Sequence, residues 1–162
     1  MKQTIDRILG YALVLLMVIM TLDVLWGVIT RYLLGSQASW SEELARFLLI
    51  WIGILGAAYA SGQRMHIAID LLQPSLSVAR QERLSRFISL LIILFALAVM
   101  VIGGLRLIYI TNTLGQLSPA LRIPMSAIYA VLPLSGLLII YYKVLEFRQP
   151  IVPGEPREFD HQ

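Results

Sequence analysis

The sequence predicts an all-α membrane protein with four transmembrane helices, and three observations support this prediction. The 162-residue chain is 58% hydrophobic and 14% charged, whereas a typical soluble domain has about 45–50% apolar and about 25% charged residues. Four long stretches are almost free of charge. The positively charged residues are concentrated on one side of these stretches.

The four apolar stretches define the predicted spans. The first lies between Arg7 and Arg31, where Asp23 is the only acidic or basic residue. The others lie between three further pairs of charged residues: Arg46 and Arg64, Arg86 and Arg106, and Arg122 and Lys143. About 20 apolar residues in a helix cross a bilayer core of about 30 Å, and lipid offers backbone amides no other partners. We therefore predict a transmembrane domain over residues 1–148, with spans at 8–30, 43–62, 86–110 and 124–145.

The distribution of Lys and Arg predicts the orientation. Four basic residues fall on one side of the spans: Arg31, Arg46, Arg106 and Arg122. Nine fall on the other side: Lys2, Arg7, Arg64, Arg80, Arg83, Arg86, Lys143, Arg148 and Arg157. Because positive loops stay in the cytoplasm, we expect both termini and the middle loop there. Residues 149–162, which are polar and contain three prolines, are predicted to be a flexible cytoplasmic tail.

Composition argues against three other classes of protein. No cysteine is present, so thiolate ligands and cysteine nucleophiles are excluded. His66 and His161 are the only histidines, and neither is placed to act as the base that a serine nucleophile needs. The net charge of +3 reflects orientation in the membrane and not nucleic-acid binding, because the basic residues flank apolar spans. We expect no enzyme activity, cofactor, bound metal or nucleic-acid partner.

The first outer loop leads into the second span with a cluster of polar residues. Ser39 and Glu42 have the spacing of a capping box, and Glu42 and Glu43 suit the positive end of a helix dipole. Trp40 suits the membrane interface. Arg46, one turn inside the span, is predicted to pair with Glu42 at four-residue spacing or with another helix.

The second span carries small residues at four-residue spacing, which let helix backbones approach closely. Gly53, Gly56, Ala57 and Ala60 form this set. They predict packing either in the centre of the bundle or against a partner protein.

Asp23 and Arg106 are charged residues inside predicted spans, at similar depth. Such residues are costly in lipid and indicate a specific role. We predict an ion pair that joins the first and third spans. The alternative is that Asp23 is a proton-coupling carboxylate.

The middle loop is predicted to lie on the inner membrane surface. Arg80, Arg83 and Arg86 recur every three residues, which indicates a short amphipathic interfacial helix whose arginines contact phospholipid headgroups. His66 and Asp70, four residues apart, are predicted to fix the loop by a hydrogen bond; a metal site is the alternative.

Two prolines predict features of the fourth span. Pro124 suits the start of a helix, where a missing amide is not needed. Pro133 removes an internal hydrogen bond, so we expect a kink.

Taken in order, these motifs resemble one family, the small membrane subunit of tripartite ATP-independent periplasmic (TRAP) transporters. The resemblance covers roughly residues 5–145. It rests on Asp23, Arg31-Tyr32, Trp40 to Arg46, Trp51, Gly56-Ala57-Ala58, Arg64, His66, Asp70, Ser118 to Leu121, Ile123-Pro124, Tyr129 and Pro133-Leu134.

The resemblance implies an inner-membrane location and two protein partners. One is a large membrane subunit that holds the substrate and sodium sites and moves as an elevator; the other is a periplasmic substrate-binding protein. The small subunit would be a static scaffold in sodium-driven uptake of an organic acid of the dicarboxylate or sialic acid type. Trp40, Glu42, Glu43 and Arg46 would serve subunit packing or periplasmic contacts.

Two other functions remain open from the residues alone. A small autonomous exporter would use Asp23 for proton coupling and would transport without partners. A membrane assembly or sensor protein would have no large permease encoded beside it.

Overall fold

The computed structural model describes residues 2–33, 35–36, 38–63 and 78–147, without the side chains of 78–82, 85, 146 and 147. Over these residues the chain is helical almost throughout. The elements are α1 (Lys2–Leu33), α2 (Ser39–Gly62), α3 (Val78–Phe95), a π-helical segment (Ala96–Gly103), α4 (Gly104–Thr113), α5 (Met125–Tyr129) and α6 (Val131–Phe147).

Four helical stretches are long and apolar enough to cross a membrane, which confirms the predicted fold class. They are named spans one to four here: Lys2–Leu33, Ser39–Gly62, Arg86–Thr113 and Met125–Leu145. The side that carries the turn between spans one and two is named the outer side, in keeping with the predicted orientation. The cytoplasmic position of the termini stays a prediction.

The spans pack in the order one, two, four, three. Span one packs on span two, span two on α6, and α6 on the π-helical segment of span three. Leu9, Leu55 and Val131, from spans one, two and four, form the buried core. Leucine, isoleucine and aromatic side chains of the same three spans surround it. Span three is therefore held mainly through span four.

Two glycines bring spans three and four into close contact. A Cβ atom on Gly136 would lie 2.9 Å from the Met100 Cβ and 3.2 Å from the Ala96 carbonyl oxygen. A Cβ on Gly104 would lie 2.9 Å from the Pro133 Cδ. Because real Cβ atoms essentially never approach another atom to less than 3.0 Å, only glycine permits this approach of the two backbones.

The π-helical segment of span three was not predicted. Its eight residues, Ala96–Gly103, lie between α3 and α4, and Met100 and Val101 contact Gly136 within it. π-helical hydrogen bonding runs from residue i to i+5, which widens the helix. No single residue type in the apolar run signals this change.

The helical hydrogen bonding of span four is interrupted near Pro133, where a kink was predicted. α5 ends at Tyr129, Ala130 is a turn residue, and α6 begins at Val131. Proline has no N–H to donate to the carbonyl four residues before it, and its ring crowds that carbonyl. That carbonyl belongs to Tyr129, so the interruption lies one turn before the proline itself. Pro124 occupies the N-cap position of α5, without a side-chain cap hydrogen bond.

The predicted interfacial helix is not separate from span three among the described residues. Arg80, Arg83 and Arg86 lie on α3, which continues into the membrane span. No glycine or proline occurs between Val78 and Ile102, so nothing in the sequence ends the helix at the interface. Arg83 and Arg86 are exposed. His66, Asp70 and the tail at 149–162 lie outside the described residues.

Candidate functional site: the outer ends of the spans

Glu43 joins span two to the loop between spans three and four. Its Oε2 atom accepts hydrogen bonds from the backbone N–H groups of Ala120 and Leu121, both at 2.8 Å. The residue is 8% exposed. A nearly buried carboxylate that accepts two amide hydrogen bonds is a strong, charge-assisted contact. Glu43 therefore fixes the position of the outer loop on the bundle.

The loop that Glu43 holds is itself tightly hydrogen-bonded. The Ser118 N–H donates to the Ile123 carbonyl at 2.9 Å, and the Ser118 hydroxyl oxygen accepts from the Ile123 N–H at 3.2 Å. The Met125 N–H donates to the Gln116 carbonyl at 3.0 Å. Arg122 adopts a positive φ of 57°, which is uncommon for a residue with a side chain. The loop is a compact structure that exposes Arg122.

Glu42 and Arg46 form the predicted pair on the first turns of α2. Arg46 Nη2 lies 3.2 Å from Glu42 Oε1, and the two side chains are 66% and 65% exposed. Trp40 is exposed on the same turn. The four residues predicted at this site thus divide into two roles: Glu43 faces inward to the loop, and Trp40, Glu42 and Arg46 form an exposed surface.

The predicted capping box is wrong. The N-cap of α2 is Ala38, without a side-chain cap hydrogen bond, and Ser39 is already the first helical residue. The Ser41 N–H donates to the Ala38 carbonyl at 3.1 Å. Helix α2 starts one residue earlier than a Ser39 cap requires, and the Glu42 carboxylate is engaged by Arg46 instead.

The predicted ion pair between Asp23 and Arg106 is not formed. Both carboxylate oxygens of Asp23 are buried and have no hydrogen-bond partner among the described residues, while Arg106 is exposed. The order of packing explains this, because spans one and three lie at opposite ends of the row. Asp23 instead serves the contact between spans one and two, where its backbone carbonyl accepts from the Ser41 hydroxyl at 3.1 Å.

A second polar junction, at the inner ends of the spans, was not predicted from the sequence. The Tyr142 hydroxyl donates to Asp6 Oδ1 at 2.6 Å, which joins span four to span one. The Tyr142 ring also covers Gly62 of span two, where a Cβ would lie 2.7 Å from the ring. An acidic residue near the start of one span and a tyrosine near the end of another were the only sequence signals.

The small residues of span two face away from the rest of the chain. A Cβ on Gly53 or Gly56 would have no atom within 4 Å. Gly53 and Ala57 are exposed, and Gly56 and Ala60 are partly exposed. Of the two predicted settings, packing in the centre of this chain's own bundle is therefore wrong for Gly53 and Gly56.

These features describe a multi-pass membrane protein whose polar side chains mainly join its own helices and loops. Within the described residues, no group of three or more His, Cys, Asp or Glu side chains could hold a metal. Trp40, Glu42 and Arg46 are charged or aromatic residues left exposed at the outer ends of the spans.

Comparison with known proteins identifies the family. The family model for the DctQ component of tripartite ATP-independent periplasmic transporters matches residues 20–152. The chain therefore belongs to the DctQ family of TRAP transporter components, and it is a multi-pass protein of the bacterial inner membrane. This confirms the resemblance described from the motifs.

Three relatives illustrate the similarity. The isethionate TRAP transporter permease protein DctMQ of Oleidesulfovibrio alaskensis is 36% identical over 125 residues, which is 75% of this chain and 20% of that protein. A putative TRAP transporter small permease protein of Haemophilus influenzae is 25% identical over 88% of this chain and 84% of its own length. The sialic acid TRAP transporter small permease protein SiaQ of Vibrio cholerae is 32% identical over 56% and 51%, respectively.

Proposed function

We propose that this chain is the static small subunit of a sodium-driven TRAP transporter for an organic acid of the dicarboxylate or sialic acid type. Its partners would be a large permease subunit, a periplasmic substrate-binding protein and phospholipids. The proposal rests on family membership. It is supported by the isethionate relative, of which this chain spans only a fifth, since the remaining length leaves room for a much larger membrane unit.

The observation that carries the scaffold role is the outward face of span two. Gly53, Gly56, Ala57 and Ala60 form a strip with little side-chain cover from the rest of the chain. In lipid, helices associate through close van der Waals packing, because the hydrophobic driving force between them is absent. Small residues permit this packing by letting another helix approach closely. We assign this strip to contact with the large subunit.

The outer surface suits contact with the periplasmic protein. Trp40, Glu42 and Arg46 are exposed beside the loop that Glu43 holds in place. A preorganised loop loses little conformational freedom when a partner binds. Arg80, Arg83 and Arg86, at the inner start of α3, would contact headgroups and resist vertical displacement of the subunit.

Co-purification tests the assignment of the strip. Ala57→Leu adds bulk to the outward face of span two, and Ala98→Leu makes the same change at an exposed position of span three. We expect Ala57→Leu to reduce recovery of the large subunit at least several-fold, while Ala98→Leu retains it. Equal recovery from both variants would show that the strip is not the contact.

Reconstitution separates the scaffold from the autonomous exporter. The purified chain alone in liposomes should show no flux of organic acid. Flux should require the large subunit, the binding protein and an inward sodium gradient. Transport by the chain alone, abolished by Asp23→Asn, would establish the exporter instead.

A further inference from the structure

An open groove of about 270 Å³ lies between the outer halves of spans one and two. This is close to the lower end of the roughly 300–1,000 Å³ range of clefts that bind organic ligands. Val24 and Val28 of α1 and Ala45 of α2 line its deeper part, and Arg31, Tyr32 and Glu42 line its mouth. The groove is thus apolar toward the membrane centre and polar toward the outer surface.

The charge at the mouth of the groove is positive. Glu42 is paired with Arg46 at 3.2 Å, whereas Arg31 makes no salt bridge with any residue in the described part of the chain. Arg31 stands in the last turn of α1, where the negative end of the helix dipole compensates part of its charge. Asp23 lies eight residues before Arg31 on the same helix, but its carboxylate oxygens are covered and do not line the groove. An anion is therefore the complementary ligand at the mouth.

The depth of the groove selects the kind of anion. Arg31 and Val24 are seven residues apart on one helix, which corresponds to about 10 Å along the membrane normal. A ligand that fills the groove must place a negative group at the interface and an apolar chain about 10 Å below it. Val24 and Val28 are 44% and 47% exposed, so the apolar part of the groove opens directly to lipid.

We propose that this groove is a specific phospholipid site, with the lipid phosphate on Arg31 and the upper part of one acyl chain against Val24, Val28 and Ala45. Tyr32, whose side chain is largely exposed at the mouth, supplies a hydroxyl at headgroup level. Inorganic phosphate shares the anionic group but lacks the chain, so it does not occupy the groove. The site is independent of the proposed transport role, because it requires only that spans one and two lie in a bilayer.

Native mass spectrometry of the full-length chain, purified from membranes with whatever partner accompanies it, tests the site. Added phosphatidylglycerol should bind as one tightly held molecule per chain, whereas a diacylglycerol with the same chains and no phosphate should not. Arg31→Gln removes the cation, and Ala45→Phe fills the apolar part with the charge kept. Each should weaken binding of this lipid about tenfold. Arg106→Gln, at an exposed arginine near the outer end of span three, is the matched control and should bind as the unmodified chain does.

Three results would overturn the proposal. The first is equal lipid retention by the unmodified chain and all three variants. The second is equal binding of the phosphate-free diacylglycerol. The third is capture of a protein, in place of a phospholipid, by a photo-crosslinking amino acid that replaces Tyr32 at the mouth of the groove, because it would show that a partner protein covers the groove.

Discussion

At the scale of single residues, Glu43 and its neighbour Glu42 have opposite settings. Glu42 is exposed in a pair on the helix surface, and Glu43 is nearly buried against two backbone amides of the outer loop. The sequence placed both at the outer end of span two. It could not separate them, because the partner of Glu43 lies 77 residues away.

Replacement of each glutamate by alanine tests this difference. Glu43→Ala should lower the free energy of unfolding by about 2 kcal/mol, because two loop amides lose a charged acceptor. Glu42→Ala should cost at most about 0.5 kcal/mol, the value of an exposed pair at four-residue spacing. Thermal unfolding measures the stability, and hydrogen exchange at Ala120 and Leu121 measures the loop. Unchanged exchange in Glu43→Ala would contradict the role assigned to Glu43.

Asp23 provides a second residue-scale prediction. Because its carboxylate has no described cationic or hydrogen-bonding partner, Asp23→Asn should leave assembly and stability within about 0.5 kcal/mol of the unmodified protein or increase them. Asp23→Asn and Arg106→Gln should have additive effects, as expected of residues without a shared contact. A double variant with a smaller loss of stability than either single variant would show that the two residues do form an ion pair.

At the scale of elements, the sequence predicted which stretches are helical but not how they meet. The length of the charge-free stretches was enough to locate the four spans, because in lipid a helix is the structure in which one segment satisfies its own backbone hydrogen bonds. The observed helix contacts depend on Gly104, Gly136 and Gly62. The spacing of small residues pointed to Gly53 and Gly56 instead, because spacing shows that a helix can pack closely but not on which neighbour.

The contact of Tyr142 with Asp6 gives an element-scale prediction. Tyr142→Phe keeps the ring on Gly62 and removes only the hydroxyl that donates to Asp6. We expect a loss of about 1–2 kcal/mol in the free energy of unfolding. Tyr141→Phe is the matched control, because it keeps the edge contact between the two rings, whose centroids are 5.7 Å apart. Equal stability of the two variants would show that the hydrogen bond does not join spans one and four.

At the scale of the whole molecule, the lack of cysteine makes the orientation simple to measure. Gln116→Cys lies in the outer loop and Gln3→Cys near the start of α1. A membrane-impermeant thiol reagent applied to intact cells should label the first variant and spare the second, because positive loops remain in the cytoplasm. The second should be labelled only after the membrane is opened. The reverse pattern would invert the assigned topology.

The whole-molecule arrangement was the part least accessible to sequence. Composition and charge predicted a four-span membrane protein, and ordered motifs predicted its family. The row order of the spans came only from the structure, and this order places Asp23 and Arg106 on elements that do not pack extensively. Similar depth in the membrane is therefore insufficient evidence for a contact between two charged residues.

The eight-residue π-helical segment has a consequence for comparing this chain with its relatives. A π-helical turn holds more residues than an α-helical turn. Removing one residue between Ala96 and Gly103 is therefore expected to let the segment return to α-helical geometry. A one-residue gap in a homologue at this place would mark a differently wound helix, with altered seating on Gly136, and would leave the membrane crossing intact.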